Sequence, residues 1–278
     1  MAEDIDGNKA DMGKKHLVDG LDLSALRKWF SEYVQTFRSG NHEQTQSIDL
    51  KDEHTRRVCT AILDIGKSLS LDSERLCLAE AMALFHDLGR FEQFARYGTF
   101  SDKDSEDHAM LGIRILHKHG VLKNMAQPTR NLILRVISYH NRLGLPEGET
   151  EECLFFTKLL RDADKVDIWR VVTEHYGEKE EKRNGAIDLG LPHGPQISDE
   201  VCTDLLAGRI VRLESLKTVN DFKVLQMAWV YDVNFPRTFQ LVLERGYLEL
   251  LRDALPISEK VSEIYSAVRS YVEKHAKV

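Results

Sequence analysis

Apolar positions in this chain recur at spacings of three, four and seven almost throughout, the period of helices that bury one face. Leu23, Leu26, Phe30, Tyr33 and Phe37 predict a first helix over Asp22 to Phe37, ended by Ser39-Gly40-Asn41. A second carries Val58, Ile62, Ile65 and Leu69. A third starts at the natural cap Asp72-Ser73 and ends around Leu88-Gly89. Residues 90–104 read as an irregular loop, and Ser105 as the cap of a helix stopping at Gly120. Pro128 opens the next helix and Gly144-Leu145-Pro146 closes it. A further helix runs from about Glu151 to Glu174. Residues 177–197 hold a charged run and Leu191-Pro192-His193-Gly194-Pro195, and read as a long loop. Helices then follow at about 199–215, 220–231, 237–254 and 257–275. No stretch alternates like a strand, so the fold class is all-α.

Polar residues interrupt these stripes in an unusual way. His54 shares the face of Val58 and Ile62, and His86-Asp87 follows Leu76, Ala79 and Ala83. His108 precedes Leu111 and Ile115, His140 follows Ile133, Val136 and Ile137, and Asp164 lies between Leu160 and Ile168. An unpaired carboxylate on a buried face costs several kcal/mol, and a divalent cation removes that penalty. Imidazole is the commonest metal-binding side chain. The six residues His54, His86, Asp87, His108, His140 and Asp164 therefore read as ligands of a metal centre on separate helices. Six O and N ligands exceed what one open catalytic ion needs, which favours two.

Composition narrows the setting. A net charge of −7 and a pI near 5.9 argue against a nucleic-acid polymer or an anionic membrane as partner. No apolar run approaches the ~20 residues that span a bilayer, and the acidic, polar start is unlike a secretory signal. Cys59, Cys77, Cys153 and Cys202 are scattered, without paired spacing, and read as reduced core thiols. A cytoplasmic protein is expected. Residues 1–20 read as a flexible tail, 21–176 as the metal-binding helical domain, 177–197 as a loop, and 198–278 as a C-terminal helical extension. The sequence neither requires nor excludes an oligomer.

The order His, His-Asp, Asp on successive helices resembles the HD-domain superfamily, at His54, His86-Asp87 and Asp164. Ala83-Leu84-Phe85-His86-Asp87-Leu88-Gly89-Arg90 is similar to that family's central block, and Asp162-Ala163-Asp164-Lys165-Val166-Asp167 to its closing block. His108-Ala109-Met110-Leu111-Gly112 and Tyr139-His140-Asn141 resemble the members with two-metal sites. The chain departs from the HD-GYP branch, having Tyr139 before His140 and then Gly144-Leu145-Pro146. That argues against three metals and a cyclic dinucleotide substrate.

The resemblance implies an HD helical bundle with additional C-terminal helices and a metal-dependent phosphohydrolase. Its substrate would be a nucleotide or small phosphorylated metabolite, attacked by a water that two divalent ions (Mn, Fe, Ni, Co or Mg) activate. His54, His86, Asp87 and Asp164 would hold the first ion, His108 and His140 the second, with Asp87 bridging. Arg90 and Lys165 are the cations expected to join Asp87 in catalysis, with Arg57 and Arg161 as further candidates. Asp167 reads as a hydrogen-bond acceptor behind a ligand histidine and as the rival of Asp164. Glu92, the remaining histidines and the cluster Phe91, Phe94, Tyr97 and Phe100 read as structural. Two other functions fit the ligand set: an HD-type di-iron oxygenase and a non-catalytic metal-binding regulatory module.

Overall fold

Side-chain caps start the helices that begin at Leu23, Ser73 and His108 in the first half of the chain. Asp22 accepts from the Ala25 N–H to open α1 (Leu23–Gln35), and Asp72 from the Arg75 N–H to open α3 (Ser73–Phe85). Between them runs α2 (His42–Ser68). The computed structural model describes residues 19–38, 42–178, 187–188 and 190–277. The expected tail is outside the described residues up to residue 18, as are the helix end at Ser39-Gly40-Asn41 and most of the charged run after Glu178. Every regular element among the described residues is helical. None is long and apolar enough to cross a membrane.

The expected loop at 90–104 is largely wrong. Just two residues separate α4 (Leu88–Tyr97) from the end of α3. Gly89 does not terminate a helix; it permits a contact. A Cβ there would lie 2.0 Å from the His108 carbonyl oxygen and 2.8 Å from the Gly112 nitrogen, so α4 crosses α5 (His108–Lys118) backbone to backbone. The cap of α5 is Asp107, which accepts from the Ala109 and Met110 N–H groups. Ser105 instead donates to the Ser101 carbonyl and accepts from Gln93.

α6 (Gln127–Tyr139) opens at Pro128 and ends well before Gly144, because the His140 ring takes the Ile137 carbonyl at the last turn. α7 (Glu151–Gly177) follows, capped by Thr150. The four expected C-terminal helices are more broken than their pattern suggests. They are α8 (Asp199–Leu206), α9 (Val219–Ala228), α10 (Pro236–Glu244), α11 (Tyr247–Asp253) and α12 (Glu259–His275), with short 3-10 turns at Leu213–Ser215 and Trp229–Asp232. Gly246, at φ +64°, divides α10 from α11 with a left-handed residue that other side chains rarely adopt.

α7 has buried residues on every face, Arg161, Asp162 and Asp167 among them, the mark of an interior helix. Its first half, with Phe156, Leu159, Leu160 and Ala163, packs into one core with α1 to α6. Its second half, with Trp169, Val172 and Tyr176, packs into another with α8 to α12. Asp162 fastens the two together, accepting from the backbone N–H groups of Asn234 and Phe235 at 3.0 Å and from the Asn234 side chain at 2.9 Å.

Gly89→Ala tests the crossing. Forcing a methyl between α4 and α5 should destabilise the protein by about 1–3 kcal/mol, read as a lower unfolding midpoint in a denaturant titration.

Candidate metal centre

Four of the six expected ligands sit at helix ends. The end expected at His86-Asp87 is found, and His108 and His140, expected on helical stripes, also stand at ends. His86 caps the C-terminus of α3, Asp87 precedes α4, His108 is the first residue of α5, and His140 caps the C-terminus of α6. Only His54 and Asp164 are inside helices, α2 and α7. The ends solve a steric problem: adjacent side chains diverge in mid-helix, but the break between α3 and α4 lets His86 and Asp87 face one point. Asp87 stands where a helix cap would, yet makes no side-chain capping bond. Its carboxylate is turned to the histidines.

The six side chains converge. His54 Nε2 lies 3.2 Å from Asp164 Oδ1 and 3.5 Å from Asp87 Oδ2. His86 Nε2 lies 3.7 Å from Asp164 Oδ1 and 3.8 Å from Asp87 Oδ2. On the other side of the same carboxylate, Asp87 Oδ1 is 3.3 Å from His108 Nε2 and 3.9 Å from His140 Nε2. Ligand atoms of His54, His86 and Asp164 come within 4.8 Å of one another, as do those of His86, Asp87 and His140. All four histidines and Asp87 are buried, and Asp164 is the most open at 18% side-chain exposure.

The second ring nitrogens settle the tautomers. His86 Nδ1 and His140 Nδ1 are each 2.7 Å from a backbone carbonyl, of Ala83 and Ile137. A carbonyl only accepts, so the proton is on Nδ1 and the lone pair of the neutral ring on Nε2. His54 Nδ1 is 2.7 Å from Asp167 Oδ2, and His108 Nδ1 is 2.7 Å from Asp102 Oδ2, with the same result. Four imidazole lone pairs and two carboxylates thus point at one another. His108 Nε2 and His140 Nε2 are only 3.1 Å apart, and His54 Nε2 and His86 Nε2 are buried without a hydrogen-bond partner. A buried set of acceptors is costly unless a cation sits among them. Imidazole nitrogen with carboxylate oxygen is a donor set for a first-row divalent ion, and the residues fit one.

Electrostatics agree. Burial opposes the charge on Asp87, but Lys51, His86 and Arg90 outweigh it and hold the carboxyl well below its ordinary range. Asp164 is likewise held down, against burial, by the His54 and His86 rings beside it. Burial, with His108 and His86 nearby, pushes His140 down to about 3. Burial and Lys51 work to lower His54, yet Asp164 and Asp167 prevail and raise it.

Residues 52–189 match the family model of the HD domain. The chain carries an HD domain. All six residues fall within the match, and proteins with this domain are for the most part divalent-metal-dependent hydrolases. No curated protein and no solved structure matches the chain.

Of the other expected residues, Asp167 stands behind His54, gripped in turn by Arg57 through Nε at 2.6 Å and Nη2 at 3.1 Å. Arg90 binds Asp102 at 2.8 Å and the Phe100 carbonyl, and its Nε is 3.5 Å from Asp87 Oδ1. Lys165 is turned to Asp232 at 2.6 Å, an acceptor it shares with Arg161. Glu92 accepts from Tyr33 and Arg96. Two residues escaped sequence reasoning. Asp102 lies in an unpatterned loop and had no signal. Lys51, whose Nζ is 2.8 Å from Asp87 Oδ2, had one: it precedes His54 by three residues and so shares its face.

Asp167→Asn should weaken divalent-metal affinity about 10- to 100-fold, measured by calorimetric titration of the metal-stripped protein. The stripped protein should also be acid-sensitive. Folded His140 stays neutral down to about 3, whereas the unfolded chain protonates it below the ordinary 6.5. The unfolded state then binds more protons, so stability falls as pH drops through that window. Asp87 and Asp164 add to the loss and His54 opposes it. The melting temperature without metal should fall between pH 7 and pH 5, and His140→Gln should flatten the slope.

Proposed function

We propose that this chain is a metal-dependent phosphohydrolase that cleaves a phosphoester of a nucleotide or another small phosphorylated metabolite. The observation that carries this reading is the division of Asp87: Oδ2 faces His54 and His86, and Oδ1 faces His108 and His140. A carboxylate so placed suits two divalent cations, with Asp164 completing the first set. Bound there, such ions supply a water of lowered pKa and neutralise charge on phosphoryl oxygens. The protein's own groups prepare the site. Asp167 and Asp102 fix the rings of His54 and His108, the Ala83 and Ile137 carbonyls fix those of His86 and His140, and the surrounding apolar helices exclude bulk water. Arg90 holds Asp102 and lies beside Asp87, which makes it a positioning residue. Lys165 stands next to Asp164 with its charge met by Asp232.

A cleft of about 850 Å³ is bordered by Arg90, Phe100, Asp102 and Lys103 on one side and Leu213 and Leu216 on the other. Arg90 and Asp102 belong also to the outer layer of the metal centre, so this cleft is the natural seat for the body of the substrate. A second cleft of similar volume, at the start of α6 by Pro128 and Thr129, lies at the opposite end of that helix from His140 and offers no such groups. The four free cysteines suit a reducing compartment, and we place the protein in the cytoplasm.

Phosphate release from a panel of nucleotides and phosphomonoesters, with Mn²⁺ added, tests the proposal. Activity should appear with the metal and drop to the metal-free background in His86→Ala and Asp164→Ala. The set of four histidines and two aspartates also suits a di-iron oxygenase. Substrate-dependent O₂ uptake by the iron-loaded protein, with no phosphate released on any substrate, would replace the first reading with that one.

A further inference from the structure

Among the described residues, Lys51 is the strongly bound cation at the centre that neither the ligand set nor its outer layer explains. Its ammonium donates to Asp87 Oδ2 at 2.8 Å, the oxygen that faces His54 and His86. Its side chain is 19% exposed, and the ammonium lies 5.4 Å from the centre of the Phe100 ring, at the border of the 850 Å³ cleft. Phe100, which lines that cleft, thus links Lys51 to it, although Lys51 is not itself part of the lining.

Charge decides what it does there. Among the carboxylates of the centre, Asp167 is matched by Arg57 and Asp102 by Arg90. Asp87, paired with Lys51, and Asp164, which faces the His54 and His86 rings, remain. One divalent cation already balances those two carboxylates, and with Lys51 the site carries excess positive charge; a second cation raises the excess further. A cation at Asp87 Oδ2 also competes with the ammonium for the same lone pairs and repels it. The ammonium then needs an anion, and the cleft beside Phe100 is where one can reach it.

We propose that Lys51 is the residue that grips the phosphoryl group of the substrate: it neutralises Asp87 while the site is metal-free and turns to the substrate anion once metal binds. This rests on the reading of the cluster as a phosphohydrolase metal centre. It requires opposite effects on two equilibria when the charge is removed, which a merely structural lysine would not produce.

Titration calorimetry of Mn²⁺ into stripped protein, and of inorganic phosphate into Mn²⁺-loaded protein, reads both. In Lys51→Met, Mn²⁺ should bind about fivefold tighter, because a repelling charge is gone. Phosphate should bind about tenfold weaker or worse, for loss of a charge-assisted bond. Lys51→Arg should retain phosphate affinity, and Lys51→Gln should repeat the Met result if the Met variant does not fold. Unchanged phosphate affinity in the neutral variants, weaker Mn²⁺ binding in them, or no phosphate binding by the wild type would each overturn the role of Lys51 alone. A wild type that binds no divalent cation would instead remove the metal centre, and this inference with it.

Discussion

Mutual repulsion among acceptors is the constraint around which this protein is arranged. Six side chains that can only accept, once each imidazole proton is committed to its outer nitrogen, face a common space in the interior. Left to themselves they would separate. They are held by groups one layer out: Arg57 through Asp167, Arg90 through Asp102, and two backbone carbonyls at helix ends. The cost of crowding lone pairs is met in advance by the fold, so a cation finds its ligands already in place.

Helix ends do much of this work. His86 and His140 use one device twice: each ring stands at a C-terminus and bonds the carbonyl three residues back, which satisfies an orphan acceptor and aims Nε2 inward. The glycine-to-glycine crossing of α4 and α5 brings His108 up to Asp87 at a distance that a single added methyl would not permit. α7 contributes Asp164 and Asp167 from its middle, three residues apart on one face, so a single helix supplies both a candidate ligand and the acceptor that orients another.

The helical class and the six converging residues were legible in the sequence, because periodicity is a strong signal and buried His and Asp are rare on apolar stripes. Asp167 was legible as an outer acceptor from its spacing to Asp164. The local geometry was not. Gly89 looked like a terminator because glycine usually ends helices, whereas here it is needed for close approach, a property of two segments that no single segment reveals. Asp102 was hidden because a loop has no period to break. Lys165 and Arg161 looked available for a substrate, but their partner Asp232 comes from some seventy residues further along the chain. Spacing along one helix says nothing of what a distant turn will bring against it.

The position of Asp162 carries one more implication. Two residues before Asp164, it anchors the backbone that leads into α10, while Trp169, five residues beyond, donates to the Gln226 carbonyl at 2.8 Å. The ligand-bearing stretch of α7 is thus clamped fore and aft by the later helices. A fragment cut to the span of the recognised family, ending at residue 189, would leave Trp169, Val172 and Tyr176 bare and Asp162 without its donors. For an engineer seeking a minimal version of this protein, the portion defined by common ancestry is smaller than the portion that can stand by itself.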